Sequence, residues 1–172
     1  MGSSHYRSDL IAAISELRTV FEKSIMSQNL DLDVVTRVRA SFEKQNAMHL
    51  IKAVMPVVEK GLTEIHIPHW QGIEQQHGFV HGGVVGMIAD SAGGYAAMTV
   101  APENASVLTV EYKMNLVAPA DGEMLISRGQ VVRAGRTLVV SKAEVFAVKE
   151  GKEVLCALMQ QTIMVVPGKS EK

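Results

Sequence analysis

The sequence predicts an α+β fold in which one long, nearly uncharged helix packs against an antiparallel sheet. Three observations predict it. Between residues 78 and 102 Asp90 is the only acidic or basic residue apart from His81. Downstream, four aliphatic, β-branched segments are separated by short turns that each carry glycine. The chain has 172 residues, 47% hydrophobic and 20% charged, which suits one soluble domain with a full core.

The elements come in the following order. Residues 6–28 place Leu10, Ile14, Leu17, Phe21 and Ile25 at steps of three and four, with Ser8 or Asp9 as N-cap, which predicts a helical extension over 1–30. A second helix is expected over 33–45, using Val34, Val35, Val38 and Phe42. A hairpin follows, with strands at 49–58 and 62–67 around the turn Glu59-Lys60-Gly61, and Pro68 ends it. The long helix is expected from Gly82 or Gly83 to about Val100, then strands at 106–117, 123–134, 137–149 and 153–166. The main domain spans 31–167, and 168–172 form a tail.

Composition excludes several functions. The net charge is −1, and residues 1–46 balance six basic against six acidic side chains, so two consecutive helices there do not read as a DNA-binding motif. The 78–102 run is long enough to cross a bilayer, but Asp90 at its centre and the strand-rich remainder favour a core helix. Cys156 is alone, reads as a buried strand residue and suits a reducing compartment; residues 1–29 hold no continuous apolar stretch, so a cytoplasmic protein is expected. His66, His69 and His77 lack a metal-ligand spacing, and no metal or cofactor is expected.

The chemistry is concentrated at the long helix. A carboxylate in small, apolar surroundings is costly to bury as the ion, so Asp90 is a functional candidate. Steps of three, four and seven put it on one face with Gly83, Gly86, Gly94 and Ala97, leaving room for a ligand beside it. The glycines alone are explained by close helix–sheet packing; an acid among them is not. His81-Gly82-Gly83 starts the helix and exposes amide N–H groups where the dipole is positive. A carboxylate with oriented N–H donors is the minimum equipment for acyl hydrolysis: the acid attacks a carbonyl or takes a proton from water, and the Gly82 N–H meets the oxyanion.

His81-Gly82-Gly83 and Asp90, with Gln75 upstream and Thr109-Val110-Glu111-Tyr112 in the next strand, resemble the hotdog-fold acyl-CoA thioesterases, closest to the PaaI-type branch related to 4-hydroxybenzoyl-CoA thioesterases. The resemblance covers roughly residues 40–166, including Asn115 to Ala120 and Gly135-Arg136. It implies a hotdog fold, an acyl-CoA substrate and a homo-oligomer, a dimer or a dimer of dimers (homotetramer), with sites at the subunit interface. By position, Asp90 becomes nucleophile or general base, Gly82 the oxyanion donor and Gln75 the group that orients thioester or water. Thr109 positions the water from the neighbouring subunit, and His81 braces the turn. His81, Gly83 and Val80 also count as substrate-binding. Gly94 departs from those 4-hydroxybenzoyl-CoA thioesterases that carry a hydroxyl residue four after the acid, which places the chain nearer the PaaI type.

Two alternatives stand beside this reading: a non-catalytic acyl-CoA-binding hotdog module, and a hotdog hydratase or dehydratase. Glu111, two residues after Thr109, is expected on the same strand face as a candidate second acid. Arg133, Arg136 and Lys142 are candidates for the coenzyme A phosphates, against an ordinary role as turn and strand-surface charges.

Overall fold

The computed structural model describes residues 32–168, within a compact unit of residues 31–172. The helix expected over 6–28 lies outside the described residues. In chain order the elements are α1 (Leu32–Phe42), α2 (Asn46–Leu50), β1 (Val54–Glu59), β2 (Leu62–Pro68), a short 3-10 turn (Gln71–Ile73), α3 (Gly82–Met98), β3 (Ala105–Leu116), β4 (Met124–Ala134), β5 (Leu138–Lys149) and β6 (Lys152–Pro167). The strands form one antiparallel sheet in the order β1-β2-β4-β5-β6-β3.

One face of that sheet packs on α3. Along β5 buried residues alternate with more exposed ones, as a sheet with a single covered face requires. Ile65, Ile67, Leu125, Val145, Ala157 and Met159 meet Val85, Ile88, Ala89 and Ala92 in the main core. A smaller cluster joins Ala97 to Ala105, Val139, Ile163 and Val165. Helix and sheet approach most closely at Gly129, where a Cβ would fall 2.2 Å from the Ala92 carbonyl carbon, and at Gly93, where it would fall 2.6 Å from Gln161 Oε1. Here the packing role for glycine holds in full.

The strand expected over 49–58 is corrected. Residues 46–50 form a helical turn and β1 begins only at Val54. Met48 and Ile51 are buried three positions apart, a helical spacing, and Lys52 takes a left-handed φ of 58° that breaks the chain direction before the strand. A run of aliphatics carries no period by itself, so burial in the core decided its conformation. Gly61, with φ 73°, makes the expected β1–β2 turn.

Arg37 ties α1 to the end of α3 and the loop after it: its guanidinium donates to the carbonyl of Met98 (2.9 Å), an acceptor the helix C-terminus leaves open, and to those of Pro102 (2.8 Å) and Glu103 (2.6 Å) in the loop. Arg128 bridges three strands, donating to Glu64 at 2.9 Å and to both oxygens of Glu153 at 2.6 and 2.8 Å. Burial pushes the Glu64 carboxyl up, but hydrogen bonds from His66 and Arg128 outweigh it and hold the group below the ordinary range. Arg128 likewise lowers Glu153. Cys156 lies buried in β6, where burial pushes its thiol up to about 11.

Candidate active site

The connection from Met98 to Ala105 turns the chain back, so β3 runs down α3 in the opposite direction. Four residues of helix rise about 6 Å and two of strand about 6.6 Å, so successive turns of α3 meet successive inward residues of β3. A Cβ on Gly82 would lie 3.1 Å from Leu116 Cδ1, and one on Gly86 would lie 3.4 Å from Met114 Cε and 3.8 Å from the Tyr112 hydroxyl. At the next turn Asp90 meets Thr109, whose Oγ1 donates to Asp90 Oδ1 at 2.7 Å. Both residues belong to one chain. The short α3–β3 connection brings them together.

Asp90 is half-buried and held from a second side. Gln161, fully buried on β6, donates from Nε2 to the Asp90 carbonyl at 3.1 Å and, at a longer 3.4 Å, to Oδ1. Sequence reasoning missed Gln161. Its signal was a polar residue in phase with the buried Met159, Ile163 and Val165 of its strand. Beside the carboxylate lies a cavity of about 130 Å³, in which Asp90 is the only charged lining residue among those described. Gly94 borders it with open space where a Cβ would stand.

Glu111 does not join the site. Val110 bulges out of the β3–β6 pairing, so Thr109 opposes Ile163 and Glu111 opposes Thr162. A bulge adds one residue to a period of two and reverses the facing of every residue after it. Thr109, Tyr112 and Met114 accordingly face the helix, while Glu111 accepts a 2.6 Å bond from the Thr162 hydroxyl.

At the other end of α3, His81 caps the helix. Its backbone is extended (φ −60°, ψ 134°) and its Nδ1 accepts from the Gly83 N–H at 2.9 Å, which fixes the tautomer with the proton on Nε2. The Val84 and Val85 amides bond to the His81 carbonyl, whereas the Gly82 N–H meets no acceptor among the described residues. Of the two glycines, Gly82 thus presents the open donor and Gly83 serves the cap. Gln75 shapes the preceding loop: its Oε1 accepts from His77 N–H at 2.7 Å, so its NH₂ group is the part left to offer a ligand. Val80 is buried in the core, its N–H bonded to the Ala120 carbonyl, and it lies away from the cavity.

Gly82 and Asp90 stand eight positions apart on one helix, about 12 Å along its axis. One chain does not bring both to one carbonyl. Arg133 and Lys142 project from the sheet face opposite α3, because their neighbours Val139 and Ser141 are buried beneath the helix. Arg136 is exposed in the β4–β5 turn. None of the three lines the cavity. His66 pairs with Glu64, His69 lies between the Gly122 carbonyl and Glu74, and His77 is exposed; among the described residues they do not converge.

Residues 77–154 match the Thioesterase superfamily. A solved thioesterase family protein from Silicibacter pomeroyi is 41% identical, with a TM-score of 0.78, and covers 78% of this chain and 99% of its own. The chain belongs to the thioesterase superfamily. A Saccharolobus solfataricus relative, provisionally named an esterase, is 30% identical over 121 residues, 70% of this chain and 85% of that protein. The PaaI protein from the phenylacetic acid degradation operon of E. coli shares the fold at 17% identity and a TM-score of 0.73, over 82% of this chain and 99% of that one. The hotdog fold of this superfamily accounts for the helix-on-sheet architecture above, and the matched residues carry Gly82, Asp90 and Thr109. Among the described residues, no helix of this thioesterase-superfamily member is long and apolar enough to cross a membrane.

Proposed function

We propose that the protein hydrolyses acyl-CoA thioesters to the free acid and coenzyme A, with Asp90 as the group that activates the attack. The observation that carries this reading is the Asp90 carboxylate, half-buried, bonded to the Thr109 hydroxyl and bordering a cavity with no other charge among its described lining residues. With Oδ1 occupied by Thr109, Oδ2 is the oxygen that takes a proton from water or attacks the carbonyl carbon itself. A hydroxyl that donates to Oδ1 also orients the carboxylate for either route.

The oxyanion needs a donor that the 12 Å helix separation puts out of reach within one chain. A second copy supplies it. Two-fold pairing with α3 helices antiparallel sets the Gly82 N–H and the Gln75 NH₂ of one copy beside Asp90 and Thr109 of the other. The β3 strand favours that pairing: it is a sheet edge, with Leu108, Val110, Tyr112 and Leu116 all exposed. His81 and Gly83 then act through the cap that aims the Gly82 N–H. The coenzyme A phosphates lie outside the cavity, where Arg133 and Arg136 are the proposed cationic contacts. A dimer of such dimers and a cytoplasmic location, suited to a lone buried thiol, complete the proposal.

Thiol release from a panel of alkyl and aryl acyl-CoA thioesters tests it, with wild type beside Asp90→Asn. Asparagine keeps the shape and an acceptor for Thr109 but loses the base. A fall of about 10² to 10⁴ in kcat with an unchanged fold is expected. Binding of acyl-CoA without thiol release by wild type would refute the hydrolase and leave the binding-module alternative; loss of substrate without free thiol would indicate a hydratase.

A further inference from the structure

The cavity beside Asp90 has walls of two kinds. Gly94 and the apolar Met98, Val107 and Ile163 form one part of its lining, with the polar Ser91 and Thr109 beside Asp90. Another part is polar, with Ser41 and Gln45 from the segment before the sheet and Tyr95 from α3. Gln45 Nε2 donates to the Tyr95 hydroxyl at 2.8 Å, and Ser41 Oγ lies 3.2 Å from the same oxygen. Ser41 and Tyr95 are buried, and Phe42 packs edge-on against the Tyr95 ring at 5.7 Å. Ser41 and Gln45 lie upstream of residues 77–154, and Tyr95 lies within them.

We infer that this cavity receives the acyl group and that Gln45, with Ser41 and Tyr95, closes it, restricting the substrate to short acyl thioesters; the inference rests on the thioesterase reading above. Size sets the limit. A cavity of about 150 Å³ holds one benzene molecule, so about 130 Å³ accommodates an acyl group of about four to six carbons. Chemistry then makes the limit sharp. Each methylene added along Met98, Val107 and Ile163 gains by leaving water. A methylene that reaches Gln45 must instead part its amide from the Tyr95 hydroxyl and crowd the buried Ser41 and Tyr95 oxygens. Lengthening the chain therefore helps until the wall is met and harms beyond it.

The test is kcat/KM for straight-chain thioesters from acetyl-CoA to dodecanoyl-CoA, with wild type, Gln45→Ala and Gly94→Ala. For wild type, kcat/KM should rise about fourfold per methylene up to the limit and fall at least tenfold within the next two carbons. Gln45→Ala, which removes the amide, should move the maximum to longer chains. Gly94→Ala sets a methyl in the open space and should move it to shorter ones. Decanoyl and dodecanoyl thioesters hydrolysed as well as butanoyl, or a maximum that neither variant moves while both remain folded and active, would overturn the inference and leave the thioesterase reading intact. Were wild type to release no thiol from any member of the series, both would fall together.

Discussion

Replacing Gly82 with proline removes one N–H and changes little else, which makes it a sharp probe of how the site is assembled. Gly82 is the first residue of α3, a position proline favours, and His81 before it holds ψ 134°, the extended backbone that a following proline requires. Its N–H has no acceptor among the described residues to lose. The added Cβ meets only the tip of Leu116, an exposed side chain, at 3.1 Å. Stability should thus be nearly unchanged, while loss of an oxyanion donor lowers kcat by about 10² to 10³, or about 3 to 4 kcal/mol of barrier. The 12 Å between Gly82 and Asp90 adds a second arm. Gly82→Pro and Asp90→Asn should each be nearly inactive alone, yet co-expressed in equal amounts they should recover activity. Half of the random dimers are hybrids, and one of each hybrid's two sites combines an intact Asp90 with an intact Gly82, so about a quarter of wild-type turnover is expected. Thiol release from the purified mixture measures it. Recovery no greater than the sum of the separate variants, with subunit mixing verified by two affinity tags, would refute the shared site.

The packing and the charges lead to three further outcomes. Gly129→Ala drives a methyl into the Ala92 backbone, 2.2 Å away, and should cost about 3 kcal/mol or more in urea unfolding. Gly94→Ala meets nothing within 4 Å and should gain up to about 1 kcal/mol from helix propensity. Glu64 and Glu153 are both held below their ordinary range in the folded chain, so their stabilisation is present above the unfolded carboxylate pKa and lost as pH falls through the folded values. Arg128→Leu should accordingly lower stability by about 1 kcal/mol at pH 7, a modest figure because the groups are partly solvated, and by much less near pH 3; an equal loss at both pH values would contradict the linkage.

Much of the architecture was legible in the chain. Period-two alternation marked β2, aliphatic runs between glycine turns marked β3 to β6, and a nearly uncharged run starting at His81-Gly82-Gly83 marked α3 to within two residues of its observed limits. Asp90 and Thr109 were legible for the same reason: an acid inside an apolar helix and a strand motif after it are local patterns. The errors came where local pattern does not specify a partner. Residues 49–53 are aliphatic enough for a strand, but the core took Met48 and Ile51 in a helical turn. Glu111 kept its alternation with Thr109 on paper, until a single bulged residue turned it to the other face.

By itself, then, the amino-acid order determined the element types outside residues 46–53, the helix with its acid and the open amide at its start, because these depend on neighbours within about one turn or one strand. Only the tertiary structure decided the rest. It set Thr109 against Asp90 in one chain, brought the buried Gln161 amide to the same carboxylate, and lined the cavity with Ser41 and Gln45 from a segment at least 45 positions upstream of Asp90. Those contacts depend on how the chain turns back on itself and on one bulge that resets the facing of β3, and neither is written in the periodicity of any single segment.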